Sequence, residues 1–275
     1  MSLMLTFALL LVCVVCAAAL KTSFVSRAQR TSTKLHLSPV LAPVLSGLAG
    51  VPAMYALFSM NEYVTHRWYQ HNEIGKVGLY KTLRKANLMP RIDGGGHVEH
   101  HAETYDDMSL KTDDVAWMAA VPAQRLMADP WRGTAFTWST STIMVLQCLP
   151  TVYPTFMLGL GWSFLPTTAF FLASFILHGL VWNAIHPAMH MLPDVPMSVG
   201  FPSKVLKPFN DSWFFSYLRE NHVGHHVASG LANYNVCCPG MDFVLGTAMK
   251  KSEWAPKVRA KKTREVVGAL SADKM

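Results

Sequence analysis

Charged residues are scarce in this sequence, and one long stretch lacks them altogether. Only 15% of the 275 residues are charged, whereas soluble domains carry nearer a quarter. No Asp, Glu, Lys or Arg stands between Gly133 and Pro193. Because about 20 helical residues cross a hydrocarbon core about 30 Å thick, this run is long enough for two crossings. Its length argues against the alternative, a buried core helix of a soluble protein.

A third apolar segment, residues 38–60, is also long enough to cross a bilayer. The sequence therefore predicts an all-α integral membrane protein. If 38–60 crosses once and the uncharged run crosses twice, residues 61–135 and 184–275 lie on the same side of the membrane. We expect these two segments to form a helical cap at the membrane surface.

Acidic residues are absent before Glu62. Residues 1–20 form an apolar core that ends in small residues, which resembles a secretory signal peptide, and the basic, Ser/Thr-rich stretch after it has the composition of a transit peptide. We therefore interpret residues 1–37 as a targeting segment. A leader of both kinds predicts a plastid membrane, and a retained signal anchor predicts the endoplasmic reticulum. The sequence leaves both locations open.

The formal net charge is +7, and much of the excess lies in the basic C-terminal tail, residues 248–275. Such a tail is typical of a segment beside anionic lipid headgroups on the cytosolic or stromal side. The tail lacks the interleaved aromatic residues and the binding fold that nucleic-acid recognition uses. We expect a membrane contact and no nucleic-acid partner.

Cysteine is too sparse for a disulfide framework. Cys13 and Cys16 lie in the N-terminal apolar stretch, Cys148 lies in a predicted span, and the neighbours Cys237 and Cys238 are poorly placed to bridge each other. No pair of them predicts a thiolate zinc site.

Histidine, by contrast, is abundant and ordered. Ten of the twelve histidines fall into four clusters, all on the same predicted side of the membrane, and only His36 and His178 stand outside them. In chain order the clusters read H-x4-H, H-x2-H-H, H-x3-H and H-x2-H-H. Their members are His66, His71, His97, His100, His101, His186, His190, His222, His225 and His226.

The spacings direct imidazoles toward common points. Residues three or four apart share one face of a helix, which describes three of the four clusters. The first cluster differs, because residues five apart lie about 140° from each other around an α-helix. Either the helix loosens there, or His66 and His71 serve different metal ions. We also expect Pro187 to restart a helix just after His186, since proline disfavours helical geometry in the residue before it.

Imidazole is a ligand for zinc, copper, iron and nickel, and ten imidazoles are enough for two ions. The alternative is a solvated histidine-rich loop. Such loops are low-complexity tracts, whereas these clusters are short motifs separated by helical sequence. We therefore predict a site for two metal ions.

These motifs resemble those of the fatty acid hydroxylase superfamily of membrane di-iron enzymes, over about residues 60–247. "NEYVTHRWYQH" is similar to the first histidine box of that family, and "NHVGHHVASGLANYNVCCPGMDFVLGT" is similar to its closing stretch. The succession of spacings is closest to the fatty acid 2-hydroxylases, whereas sterol-type members have three residues inside the first box.

The resemblance implies a catalytic domain over residues 38–247 that binds two iron ions, or zinc in a purified sample, and uses O₂. Its expected reaction is hydroxylation or desaturation of a C–H bond in a fatty acyl or sterol lipid. Zinc has no redox chemistry, so iron is the functional expectation. The electrons must come from an external donor, cytochrome b5 or ferredoxin with its reductase, because the sequence has no flavin or nicotinamide fingerprint.

Two other functions stay open. A carotenoid ring hydroxylase of a plastid would share the first two boxes. A histidine-rich metal-binding or transport protein is an alternative of another class, although transporters place ligands near the bilayer midplane and these clusters flank the spans.

Four further residues are candidates for a substrate channel or for support of the ligands. His178 lies in or near a predicted span, where ionisable groups are usually functional, and we expect it to line the channel. Asn183, Asn221 and Glu62 neighbour the boxes, where they could orient ligand imidazoles or serve only as caps.

Overall fold

The computed structural model describes residues 41–89, 94–111 and 129–258, and within them the chain is helical and contains no strand. The helices, numbered in chain order, are α1 Leu41–Val64, α2 Gly78–Lys85, α3 His97–Ala102, α4 Trp138–Tyr153, α5 Phe164–Met189, α6 Trp213–Val227 and α7 Met241–Val244. A last helix covers 251–258. Two π-helical segments, Thr65–Gln70 and Pro154–Gly159, continue α1 and α4, and 3-10 turns cover Glu73–Lys76, Gly94–Gly96 and Ser203–Asp211. The predicted all-α class is confirmed for these residues.

Two helical segments, Trp138–Gly159 and Phe164–Met189, are long and apolar enough to cross a membrane. Only 22% and 28% of their most apolar stretches are buried in the protein, whereas the core helix of a soluble protein would be mostly buried. They correspond to the predicted hairpin. Most of the third predicted segment, 38–60, lies in α1, and its crossing stays a prediction. The predicted leader, 1–37, lies outside the described residues.

Buried side chains hold the C-terminal end of α5 against its neighbouring loops. The Asn183 side chain accepts a hydrogen bond from the Phe136 backbone N–H (2.6 Å) and donates to the carbonyls of Phe136 (3.2 Å) and Phe201 (2.8 Å). The Trp182 indole donates to the Thr134 carbonyl at 2.7 Å. These bonds fix the last turns of α5, from which His186 and His190 project.

The helix loosens between His66 and His71, which is one of the two alternatives that their spacing left open. The Thr65–Gln70 segment is π-helical, and the His71 N–H donates to the His66 carbonyl at 3.0 Å. An i→i+5 bond defines this geometry, and it brings residues five apart to the same face. The two imidazole ring centres are consequently 5.0 Å apart.

The expectation that Pro187 restarts a helix is wrong. Helix α5 runs through Pro187 and ends at Met189. Proline removes one backbone donor and crowds the carbonyl four residues before it, but here it lies in the last turn, where the hydrogen bonds of Asn183 and Trp182 hold the helix in place. His186 and His190 therefore keep the helical i, i+4 relation, and their ring centres lie 5.2 Å apart.

Candidate metal centre

All ten clustered histidines meet in one buried region. Two groups of imidazoles have ligand nitrogens within 4.8 Å of one another. We call the first group site 1; it consists of His66, His71, His97, His101 and His225. We call the second group site 2; it consists of His100, His186, His190 and His222. His226 lies between them, with its ring stacked on His101 at 4.0 Å and its Nε2 3.2 Å from Nε2 of His222.

The four boxes contribute to the two sites unequally. The H-x4-H box supplies only site 1, and the H-x3-H box supplies only site 2. Each triple-histidine box supplies both. On α3, His97 and His101 point to site 1 while His100 points to site 2, and on α6 His225 and His222 divide in the same way. Two short helices therefore bridge the sites.

Backbone carbonyls determine which nitrogen of several imidazoles carries the proton. In site 1, Nδ1 of His66, His97 and His225 lies 2.5, 2.8 and 2.6 Å from the carbonyl oxygens of Tyr234, Gly133 and Ala232. A carbonyl oxygen accepts only, so each Nδ1 must donate. A neutral imidazole has one N–H, which leaves Nε2 of all three rings as a bare lone pair. His190 of site 2 is held in the same way by the Met108 carbonyl at 3.2 Å.

Two of these lone pairs, on His66 and His97, face each other at short range. Nε2 of His66 lies 2.7 Å from Nε2 of His97, and Nε2 of His71 and His101 each lie 3.0 Å from Nε2 of His225. Burial lowers the pKa of His97 to about 4 and that of His225 to about 3, and it holds the pKa of His66 well below its usual range. The rings are therefore neutral near pH 7, and the His66–His97 contact has no proton to share.

A metal ion bound at each group would account for this arrangement. Two nitrogens that each lie about 2.1 Å from one ion at right angles are roughly 3 Å apart, close to the observed Nε2 separations. In site 2, Nε2 of His190 lies 3.1 Å from Nε2 of His100 and 3.0 Å from that of His222. Neither nitrogen of the buried His186 has a hydrogen-bond partner among the described residues. The residues thus fit two ions bound through imidazole.

The segment that follows α6 positions ligands of site 1 through its backbone. The buried Asp242 carboxylate accepts hydrogen bonds from the backbone N–H of Tyr234 (2.9 Å) and Asn235 (2.7 Å) and from the Thr247 hydroxyl (2.7 Å). Tyr234 then presents its carbonyl to His66. Gly230, at φ +70°, has no room for a Cβ because the His71 ring would lie 2.3 Å from it.

The four further candidates do not belong to the two imidazole groups. Glu62 and His178 form a separate buried group with Cys238. Asn183 bonds to backbone, as described above, and the Asn221 side chain donates to the Asn235 carbonyl at 3.0 Å. Neither amide contacts an imidazole through a hydrogen bond. Whether His178 lines a substrate channel stays a prediction.

Sequence reasoning did not find the carbonyl partners of the imidazoles, because every residue has a carbonyl and none carries a side-chain signal. A sequence signal did exist for Asp242, since this residue lies in the closing stretch quoted above, residues 221–247. No sequence signal grouped Cys238 with its neighbours, because it lies 60 residues from His178 and 176 residues from Glu62 in the chain.

Geometry defines the site as two adjoining groups of imidazoles, each of which could hold a metal ion. No protein-family model, no curated protein and no solved structure matches the chain.

Proposed function

We propose that this protein is a membrane di-iron oxygenase that hydroxylates or desaturates a lipid C–H bond. The observation that carries the proposal is the pair of interleaved imidazole sites at the end of two helices suited to cross a bilayer. When bound, two iron ions would supply activation of O₂.

The residues of this chain would hold the metals and keep water out. Carbonyl-bound Nδ1 atoms direct the Nε2 lone pairs of His66, His97, His190 and His225 into the centre. Seven of the ten ligands are buried, with His66, His97, His186 and His225 at 0% exposure, and His71, His101 and His226 are partly exposed. A dry site protects reactive species from side reactions.

The apolar side of the centre supports a lipid substrate. The Trp182 ring packs edge-on against His186, with ring centres 5.1 Å apart, and Phe136 stacks on Trp182 at 4.8 Å. These aromatics continue into the core between α1, α4 and α5. An acyl or sterol chain that enters from the bilayer would meet aromatic and aliphatic surface before it meets the metals.

The electrons would come from outside the chain. Lys76, Lys81, Arg84 and Lys85 surround a shallow surface pocket beside Gly75, close in sequence to His71. A basic surface attracts acidic partners through long-range electrostatics. This supports an acidic donor such as a cytochrome b5 or a ferredoxin, as the resemblance implies.

Metal analysis together with O₂ consumption tests the proposal. Anaerobic reconstitution with ferrous iron should give about two ions per chain at the paired site, and the loaded protein should consume O₂ in the presence of lipid extract and a reduced donor. The double variant His100→Ala/His225→Ala removes one ligand from each site and should lose both metal and turnover. The surface variant Lys207→Ala is the matched control and should keep both.

The product separates the remaining alternatives. Lipid analysis of a deletion strain should reveal one missing hydroxylated or desaturated acyl or sterol species; a missing hydroxylated carotenoid would favour the carotenoid ring hydroxylase. Full metal occupancy without O₂ consumption would contradict the oxygenase and favour a metal-binding or transport role.

A further inference from the structure

A third cluster of metal-ligand residues lies in the core, outside the ten imidazoles. It consists of Glu62 near the end of α1, His178 in α5 and Cys238 in the segment after α6. One ligand atom from each lies within 4.8 Å of the other two. Cys238 Sγ is 3.5 Å from His178 Nδ1, and Glu62 Oε2 is 3.7 Å from His178 Nε2. The imidazole therefore stands between a thiol and a carboxylate.

The Glu62 carboxylate has one acceptor position left, and it is on the atom nearest to His178. Oε1 accepts the backbone N–H groups of Val236 and Cys237, and Oε2 accepts that of Cys238. A carboxylate offers about four acceptor positions, so Oε2 keeps one. Among the described residues, no Lys or Arg forms an ion pair with this carboxylate, whose side chain is 1% exposed.

His178 supplies the second, independent observation. Its side chain is 3% exposed, and Nε2 has no hydrogen-bond partner among the described residues. The 3.7 Å to Glu62 Oε2 is too long for a hydrogen bond. Buried polar atoms are nearly always satisfied, and one that is not requires an explanation such as an ion.

We propose that Glu62, His178 and Cys238 form a third metal site, separate from the two imidazole sites, that binds a single Zn²⁺ ion. The ion would satisfy the unpaired imidazole nitrogen and neutralise the buried carboxylate. It would also join α1, α5 and the segment after α6, which are far apart in sequence. This site does not depend on the oxygenase reaction.

The donor set and the distances favour zinc. Zinc binds cysteine sulfur at about 2.3 Å, histidine nitrogen at about 2.0 Å and carboxylate oxygen at about 2.0–2.2 Å, so tetrahedral ligand atoms are roughly 3.3–3.6 Å apart. The observed contacts of 3.5 and 3.7 Å are close to these values. They involve different nitrogens of His178, so binding requires the ring to turn until one nitrogen faces both partners. A water molecule would complete the tetrahedron.

Cobalt substitution tests the site on the full-length protein in detergent. The two larger sites contain only imidazole, so a thiolate-to-cobalt charge-transfer band can arise only where a cysteine binds the ion. Protein loaded with Co²⁺ should show this band, and total metal analysis should give one ion beyond those of the imidazole sites. Cys238→Ala should abolish the band and remove that one ion, with the imidazole sites still loaded.

Cys237→Ala is the matched control, because Cys237 is the buried neighbour but is not part of the cluster; it should keep the band. His178→Ala should behave as Cys238→Ala does. Should a variant fail to fold, Cys238→Ser, which keeps the volume but replaces the sulfur, provides the same comparison. Wild-type protein that is fully loaded at the imidazole sites but lacks the thiolate band would overturn the proposal, and the triad would then be a metal-free polar contact. Failure of the proposed oxygenase reaction would leave the thiolate-to-cobalt band unchanged.

Discussion

Carbonyl groups, rather than acidic side chains, fix the position of the proton on four of the clustered imidazoles. Each carbonyl fixes Nδ1–H and exposes Nε2 on His66, His97, His190 and His225. Such partners orient a ligand and set its tautomer. Because the partners belong to the backbone, a side-chain substitution can disturb them only indirectly, through whatever holds the loop in place.

Asp242 offers that route. Asp242→Asn replaces one acceptor oxygen by a donor amide, so the N–H of Tyr234 or Asn235 loses its partner. We expect a loss of roughly 1–3 kcal/mol in the free energy of unfolding. We also expect metal affinity at site 1 to fall about 10–100-fold, as is typical when a ligand's support is removed.

Competition titration with a chelator measures the affinity in this experiment. Asp194→Asn, at an exposed Asp that pairs with Lys207 on the surface, is the control and should bind metal normally. An Asp242→Asn protein with wild-type metal affinity would show that Asp242 stabilises the fold without positioning His66.

The convergence of the clustered histidines could be predicted from the sequence, and the backbone groups that support them could not. Spacings of three and four residues match the period of a helix, so they can be recognised in the sequence alone. All ten clustered histidines meet in one region of the structure. The grouping of His97 with His66 and of His100 with His190 depends on how separate helices approach each other. The spacing of histidines within one helix does not show how that helix packs against another.

Among the secondary-structure elements, the π-helical segment at the end of α1 brings both histidines of the first box to the same site. In an α-helix His66 and His71 would face different directions, and the wider turn returns His71 to the same face. The sequence left two alternatives there, a loosened helix or separate ions for the two histidines, and did not decide between them. The continuity of α5 through Pro187 was mispredicted because local proline preferences were outweighed by the anchoring of Asn183.

Changing the length of this segment tests its role. Deleting Trp68 leaves three residues between the two histidines, which restores the α-helical i, i+4 relation. We expect this variant to keep metal in site 1. Inserting one Ala after Trp68 places the histidines six apart, which neither an α-helix nor a π-helix brings to one face, so site 1 should lose its metal.

Metal content measured separately at the two sites, with Trp68→Ala as a control of unchanged length, distinguishes the outcomes. If deletion empties site 1 in a folded protein while insertion does not, the π-helical geometry is not what aligns His66 with His71.

For the whole molecule, the buried imidazoles make the metal-free protein sensitive to acid. His97 has a pKa of about 4, and His190 and His225 have pKa values of about 3, because burial disfavours the charged form. In the unfolded chain these groups titrate near 6.5. The unfolded state therefore binds more protons between about pH 3 and 6.5, and stability decreases as the pH falls through that window.

Each of these imidazoles contributes up to about 1.4 kcal/mol per pH unit to the loss. Denaturant unfolding of the metal-free protein in detergent should show nearly constant stability above pH 7 and a steep decline between pH 6 and 4. Metal-loaded protein should stay folded to a lower pH, since protons must displace the ion from the imidazoles before the protein unfolds. Constant stability of the metal-free protein from pH 7 to 4.5 would contradict the burial of neutral imidazoles.

The sharing of α3 and α6 between the two imidazole sites has a consequence for how the protein matures. An ion bound by His97, His101 and His225 would restrict the motion of the two helices that also carry His100 and His222. His100 and His222 would then already have lost conformational entropy before the second ion binds. The second ion would lose less entropy on binding, so its affinity would be higher. Uptake should accordingly be cooperative, with a sigmoidal dependence on metal concentration and few singly loaded molecules. A cell short of metal would hold a mixture of complete and empty proteins rather than a uniform population of half-assembled ones.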